Sequence, residues 1–172
     1  NIYVTTAKSQ VYGEVGIDML AGPSEITVVA DRDADPDWIA ADLIAQAEHD
    51  VNSQCILIAK DYKTITKVKN SISHQIKSLP RKKIAETSLK KNGIFILCSS
   101  DNRISEVVNL IAPEHLELNV KNYNEIVKKV KNTGSICLGK YSAMAVTDYS
   151  AGPNHILPTN SSAKSSSGLS VF

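Results

Sequence analysis

The residues best suited to chemistry lie in four short clusters. The chain holds four histidines, and three of them stand beside carboxylates or amides. In Ala45-Gln46-Ala47-Glu48-His49-Asp50, Gln46 and His49 are three residues apart where a helix ends, a spacing that puts both side chains on one face. The pair reads either as a polar helix end or as two donors to a metal, although zinc takes amides less often than His, Cys or carboxylate. In Ala112-Pro113-Glu114-His115-Leu116-Glu117, Pro113 breaks the preceding helix and stiffens the residues after it. A carboxylate and an imidazole held side by side suit general acid/base work, because the imidazole titrates close to working pH. The same pair reads equally well as a polar corner between a helix and a strand. In Asp148-Tyr149-Ser150-Ala151-Gly152-Pro153-Asn154-His155, Gly-Pro makes a tight turn. Asp148 is an acceptable metal ligand, and His155 can be another or orient one. The fourth cluster, Ala21-Gly22-Pro23-Ser24-Glu25, is a turn directly before a strand. His74 lies among Ser and Lys on the polar side of a helix and reads as a surface residue.

The segments that must position these clusters alternate between two types. Ile26–Ala30, Ile56–Ala59, Ile94–Leu97 and Ser135–Leu138 are short apolar runs without strict polar alternation, as expected of strands covered on both faces. Between them lie stretches with helical periodicity. One starts with Asp35 as N-cap and Pro36 as first helical residue. Another carries Ile65, Val68, Ile72, Ile76 and Leu79 on one face and stops at Pro80. Further helices are expected near 82–91, stopped by Gly93, over Ile104–Ile111, and around Ile126 and Val130, stopped by Gly134. The fold class is therefore α/β, an open and mainly parallel sheet with flanking helices. Ligands of such sheets collect outside the carboxyl ends of the strands. A helix that runs back from that edge carries its C-terminus to the opposite one. The position of Gln46 and His49 thus counts against a site built from this sheet alone. Beyond Lys140 periodicity disappears, and a long irregular stretch of this kind is often functional. The Ser-rich tail 160–167 has the composition of a flexible linker.

Composition narrows the function. Of 172 residues 42% are apolar, enough for the core of one domain, or of one domain and a piece of a second. A net charge of +1 excludes the basic excess of a nucleic-acid binder and the charge imbalance of a disordered chain. No apolar run approaches the ~20 residues of a membrane span, and no signal peptide opens the chain, so a cytoplasmic home is expected. The start at Asn1 on an apolar stretch suggests a fragment. Cys55, Cys98 and Cys137 sit in apolar runs without a CxxC pattern and read as buried free thiols. The Lys82-Lys83, Lys90-Lys91 and Lys128-Lys129 pairs read as solvated helix faces. There is no GxGxxG, and Gly13 with Gly16 makes only a GxxG, so spacing shows no nucleotide site.

Taken in order, the clusters resemble the histidinol dehydrogenase family. The match is carried by Asn1-Ile2-Tyr3-Val4-Thr5, Ile17-Asp18-Met19 with Ala21-Gly22-Pro23-Ser24-Glu25, and Ala41-Asp42-Leu43 with Gln46-Ala47-Glu48-His49. It continues through Ala112-Pro113-Glu114-His115-Leu116-Glu117, Gly152-Pro153-Asn154-His155 with Leu157-Pro158-Thr159, and Ser166-Ser167-Gly168-Leu169-Ser170-Val171. The resemblance implies a zinc enzyme that oxidises L-histidinol through histidinal to L-histidine with two NAD. Gln46, His49 and Asp148 fall on three zinc ligands, the fourth being a His beyond Phe172. In the family the zinc holds the amino and imidazole nitrogens of the substrate. His115 falls on the base that takes the hydroxyl proton, and Glu114 on the residue that activates water for attack on the aldehyde. Ser24, Gln46, His49, His115, Asp148 and His155 fall at the substrate, and Asn1 at NAD. The resemblance further implies a homodimer and an incomplete Rossmann-like lobe. Residues 1–23 are then the end of an inserted NAD-side lobe, and 24–172 the second half of a discontinuous first lobe. It also implies an ordered tail, against the compositional reading, and a segment that is inactive alone. Alternatives are a related zinc- and NAD-dependent dehydrogenase of another polyol or amino-alcohol, and a zinc hydrolase.

Overall fold

A computed structural model describes residues 2–152 and 156–168. Helix α1 (Ile2–Gln10) precedes an irregular stretch, after which strands and helices alternate: β1 (Glu25–Ala30), α2 (Pro36–Ala47), β2 (Gln54–Ala59), α3 (Tyr62–Gln75), α4 (Lys82–Asn92), β3 (Gly93–Leu97), α5 (Asp101–Ile111), β4 (His115–Asn119), α6 (Tyr123–Val127) and β5 (Ser135–Leu138). The five strands form one sheet in the order β3-β2-β1-β4-β5. Every pairing is parallel, with Ile26 opposite both Cys55 and His115, and His115 opposite Ser135. The chain builds outward from β1 to β3, then crosses to the other side of β1, so the connection order reverses between β1 and β4.

Local chemistry sets the helix starts. The Asp35 carboxylate accepts the Asp37 N–H at 2.8 Å, and Pro36, with no N–H to satisfy, opens α2. Asp61 and Ser100 cap α3 and α5 in the same way. The sheet separates two apolar layers. Ile26, Val28 and Leu57 pack with Ile39, Leu43 and Val68 of α2 and α3 on one face. Val29, Ile58, Leu116 and Leu118 pack with Ile104, Val108 and Ile126 of α5 and α6 on the other. β1 is buried along its whole length, which explains its unbroken apolar run.

Three local expectations change. α3 ends at Gln75, and Ile76–Ser78 continues as a 3₁₀ turn before Pro80. α6 stops at Val127, short of Val130. The tail is packed rather than linker-like. Thr159 Oγ1 accepts the Gly22 N–H at 2.6 Å, the Asn160 N–H reaches Glu25 Oε1 at 2.9 Å, and the Ser161 hydroxyl donates to Ile111 O at 2.7 Å. Cys55, Cys98 and Cys137 are buried and outside any disulfide among the described residues, and His74 is exposed. No helix among the described residues is long and apolar enough to cross a membrane.

Candidate functional site

The site forms at the amino edge of the sheet. Ser24 immediately precedes β1 and His115 opens β4, the neighbouring parallel strand. α2 returns from the carboxyl edge, so its last turn brings Gln46 and, just beyond, His49 to the same place. Ser24, Asp42, Gln46, His49, His115 and Met144 line one cavity of about 260 Å³. The edge is the one expected for Gln46 and His49, and the adjacency of β1 and β4 supplies an opposite cavity wall from within the chain.

His115 is buried at the start of its strand. Its Nδ1 lies 3.0 Å from Ser135 Oγ on β5, and its Nε2 lies 3.6 Å from Glu114 Oε1, a contact beyond hydrogen-bond length. Glu114 is equally buried and is not among the residues lining the cavity. Its Oε2 accepts the Glu25 N–H at 2.8 Å. Burial pushes the Glu25 carboxyl up, while hydrogen bonds from the backbone of Asn160 and Glu114 pull it back. Ala112, in the left-handed region at φ 52°, ends α5 and turns the chain into Pro113-Glu114-His115. A non-glycine residue held there is a small local strain next to the candidate catalytic pair. Behind the pair, Gly134 and Ser135 donate their N–H groups to Pro113 O and Glu114 O at 3.0 and 2.9 Å.

A second carboxyl pair lies under the cavity. Glu117 is fully buried on β4, and its Oε1 accepts the Met144 N–H at 2.7 Å. Its other neighbour is the Asp42 carboxyl, close enough for each group to influence the titration of the other. Two carboxyl groups share a hydrogen bond only when one carries a proton. Burial first, and then the Asp42 charge, push Glu117 up to about 8, and burial raises Asp42 as well.

Gln46, His49, Ser24 and His115 are thus brought together. The turn Thr147–Ala151 carries Asp148 next to them, since Met144 and Tyr149 line the cavity, but the Asp148 side chain lies outside the described part of the structure. Asn1 and His155 also lie outside the described residues. Among the described residues no three His, Cys, Asp or Glu side chains cluster tightly enough to hold a metal. The imidazole of His49 and the amide oxygen of Gln46 on one cavity wall nevertheless fit as part of a zinc donor set, at the negative end of the α2 dipole. A cavity of about 450 Å³ opens at the carboxyl edge, where the connection order reverses. It is lined by Asp31, Asp33, Asn119, Lys121, Tyr123 and Tyr141, none of them a residue that the motifs single out.

Sequence reasoning assigned no role to Asp42, Glu117 or Ser135. A signal existed for the first two. Asp42 precedes Gln46 by one helical turn, and Glu117 follows His115 by two strand positions, so each shares a face with a site residue. Ser135 becomes visible only through the β4–β5 register.

Comparison with known proteins gives a consistent picture. The family model described as histidinol dehydrogenase matches residues 1–172. A histidinol dehydrogenase of Pelagibacter ubique is 60% identical over 172 residues, covering 99% of this chain and 40% of that relative. One of Thiocapsa roseopersicina is 49% identical over 172 residues, covering 100% of this chain and 74% of the relative. The crystal structure of histidinol dehydrogenase from Elizabethkingia anophelis superposes with a TM-score of 0.92 at 42% identity, over 99% of this chain and 39% of that one. The chain thus spans about 40% of the length of the Pelagibacter relative.

Proposed function

From the membership of this chain in the histidinol dehydrogenase family, we propose that it is the central to C-terminal part of an enzyme that oxidises L-histidinol through histidinal to L-histidine with two NAD. The observation that carries this reading is the convergence of Ser24, Gln46, His49 and His115, from three separate stretches of sequence, on one cavity. Gln46, His49 and Asp148 would hold a zinc ion, and Ser24 and His155 would complete the contacts to substrate. Bound zinc supplies a Lewis-acidic anchor for the amino and imidazole nitrogens of histidinol, and NAD bound near Asn1 accepts hydride. His115 takes the hydroxyl proton as the carbinol hydride departs, leaving the aldehyde. Ser135 steadies the ring from its far nitrogen. Glu114, with one oxygen tied to the Glu25 amide, draws a proton from water as the water oxygen bonds to the aldehyde carbon. The resulting diol loses its hydride and a proton to give the carboxylic acid.

Residues 1–23 belong in this reading to an NAD-side lobe and 24–172 to a discontinuous first lobe, a division supported by the lack of long elements between Gln10 and β1. The enzyme would act as a homodimer, which would cover apolar side chains such as Val4, Tyr12 and Val15 that stand exposed on this segment. Three buried cysteines outside any disulfide suit the reducing cytoplasm. The test is the complete protein with zinc, NAD and L-histidinol. Two NADH per histidinol, abolished by a chelator and restored by zinc, are expected. NADH formed only from another polyol or amino-alcohol would move the protein to a related dehydrogenase. Hydrolytic activity without NADH would make it a zinc hydrolase.

A further inference from the structure

The Asp42–Glu117 pair takes no part in the chemistry of the proposed reaction, yet it lies on α2 and β4, which carry Gln46 and His115, and holds the Met144 amide. Glu117 lies two residues after His115 on β4 and faces the same side of the sheet. That side is otherwise apolar, packed with Ile26, Val28, Leu43, Cys137 and Met144. A carboxyl group buried there is costly unless its oxygens are hydrogen-bonded. One oxygen accepts the Met144 N–H at 2.7 Å. Among the described residues the other meets no N–H or hydroxyl donor, and the carboxyl of Asp42 is the group that interacts with Glu117. Asp42 and Gln46 stand at i and i+4 on one face of α2, His49 follows just past its end, and all three line the cavity. Met144 opens the short helix Met144–Val146, which leads directly into the turn carrying Asp148.

We propose that Asp42 and Glu117 are positioning residues, a hydrogen-bonded bridge that holds the Met144–Ala151 turn against the Gln46/His49 end of α2 and so sets the spacing of the metal donors. The bridge explains why a core position that a leucine would fill carries a carboxylate. Only an acceptor at 117 satisfies the Met144 N–H, and only a polar pair locks α2 to β4 at one register. Its consequence for metal rests on the reading of Gln46, His49 and Asp148 as zinc donors.

The test uses the complete zinc-loaded protein and the variants Glu117→Gln, Glu117→Leu and Asp42→Leu. Three quantities are read: thermal stability, hydrogen exchange of the Met144 amide, and zinc affinity by chelator competition. Glu117→Gln keeps an acceptor for Met144 and gains a donor to Asp42. Its zinc affinity is expected to stay within about threefold, since the outer contacts that orient ligands are retained. Glu117→Leu leaves the Met144 N–H and the Asp42 carboxyl without their partner and is expected to lower the melting temperature. It should also expose the Met144 amide to exchange and weaken zinc by about 10–100-fold. A merely structural carboxylate would lose stability in Glu117→Leu with the zinc affinity of the folded protein unchanged. Asp42→Leu removes the other half of the bridge, leaves the Met144 bond, and is expected to weaken zinc in the same sense; it decides the matter if Glu117→Leu does not fold. Wild-type zinc affinity together with a protected Met144 amide in Glu117→Leu, or wild-type zinc affinity in Asp42→Leu, would overturn the proposal. If the wild-type protein itself holds no zinc, the metal reading fails, and Met144 exchange in Glu117→Gln against Glu117→Leu still decides the bridge.

Discussion

Replacing Gly134 by Ala adds one methyl group at a place where it presses on the backbone of the site. A Cβ at 134 would stand 2.6 Å from the carbonyl oxygen of Glu114, 3.1 Å from Pro158 Cδ and 3.2 Å from Leu157 Cβ. The contact with Glu114 O falls 0.4 Å below the 3.0 Å that real Cβ atoms respect. The obstacle is backbone, so no side-chain rotation relieves it, and Pro158 and Leu157 block retreat on the other side. The strain passes to the Glu114–His115 peptide, already held by the Ser135 N–H at 2.9 Å. Overpacking of this kind costs about 1–3 kcal/mol. A misplacement of ~1 Å at reacting groups costs on the order of 100-fold in rate, so a shift of several tenths of an ångström is worth about tenfold. The complete Gly134→Ala enzyme is therefore expected to melt several degrees lower and to lose about tenfold in kcat with zinc content unchanged. Gly16→Ala is the control, because nothing lies within 4 Å of a Cβ there and its φ is not positive. A Gly134→Ala enzyme as stable and as fast as Gly16→Ala would refute the placement of Glu114 and His115 relative to β5.

The same geometry sets three further outcomes. His115→Asn should lower turnover by ~10²–10⁴, the usual worth of a positioned base, with zinc retained; loss of zinc from a folded variant would reassign His115 to the metal. Ser135→Ala removes the partner 3.0 Å from His115 Nδ1 and should lower kcat and shift the pH–rate profile while KM changes little; an unchanged profile would remove Ser135 from any role in orienting the ring. Glu117 titrates near 8 in the folded chain against 4.5 for an ordinary Glu, so its contribution to stability is complete below pH 4.5 and is lost as pH rises through about 8. Melting temperatures measured from pH 5 to 9 should accordingly fall more steeply for the wild type than for Glu117→Gln, and parallel curves would contradict the raised carboxyl.

Four of the five strands are legible because each is a short apolar run bounded by a capping residue or a glycine, as with Ile26–Ala30 before Asp35-Pro36; β4, His-Leu-Glu-Leu-Asn, alternates polar and apolar residues and is not read as a strand from the sequence. Helix ends were less so. Val130 continues the apolar spacing of Ile126 but lies outside α6, since spacing records which face is apolar and not how far the helix runs. The tail misled by composition: its serines spend their hydroxyls on Ile111 O and Thr159 O, which a count of polar residues cannot anticipate. Of the site, residue types and motif order were readable, but the convergence of Ser24 and His115 depends on β4 lying next to β1. That adjacency is set by a crossover, and the strand sequences themselves do not encode it.

The two edges of the sheet also differ in charge, and the difference suits the site to a cation. Parallel strands and returning helices place helix N-termini at the carboxyl edge and helix C-termini at the amino edge. Helix N-termini favour anions, which is why phosphates usually settle at the carboxyl edge. Here the loop entering α2 carries Asp31, Asp33 and Asp35, and its first turn Asp37. Two of these carboxylates, Asp31 and Asp33, line the cavity at that edge together with Lys121 and Lys140, so acidic side chains offset the basic ones where the fold would offer a phosphate its place. At the amino edge the last turn of α2 presents the negative end of its dipole. Gln46 adds an amide oxygen to that end, and His49 a ring nitrogen beside it. A divalent cation there would be attracted by the helix as well as by its ligands. The position that first counted against a site on this sheet is, on electrostatic grounds, the one that a zinc centre favours.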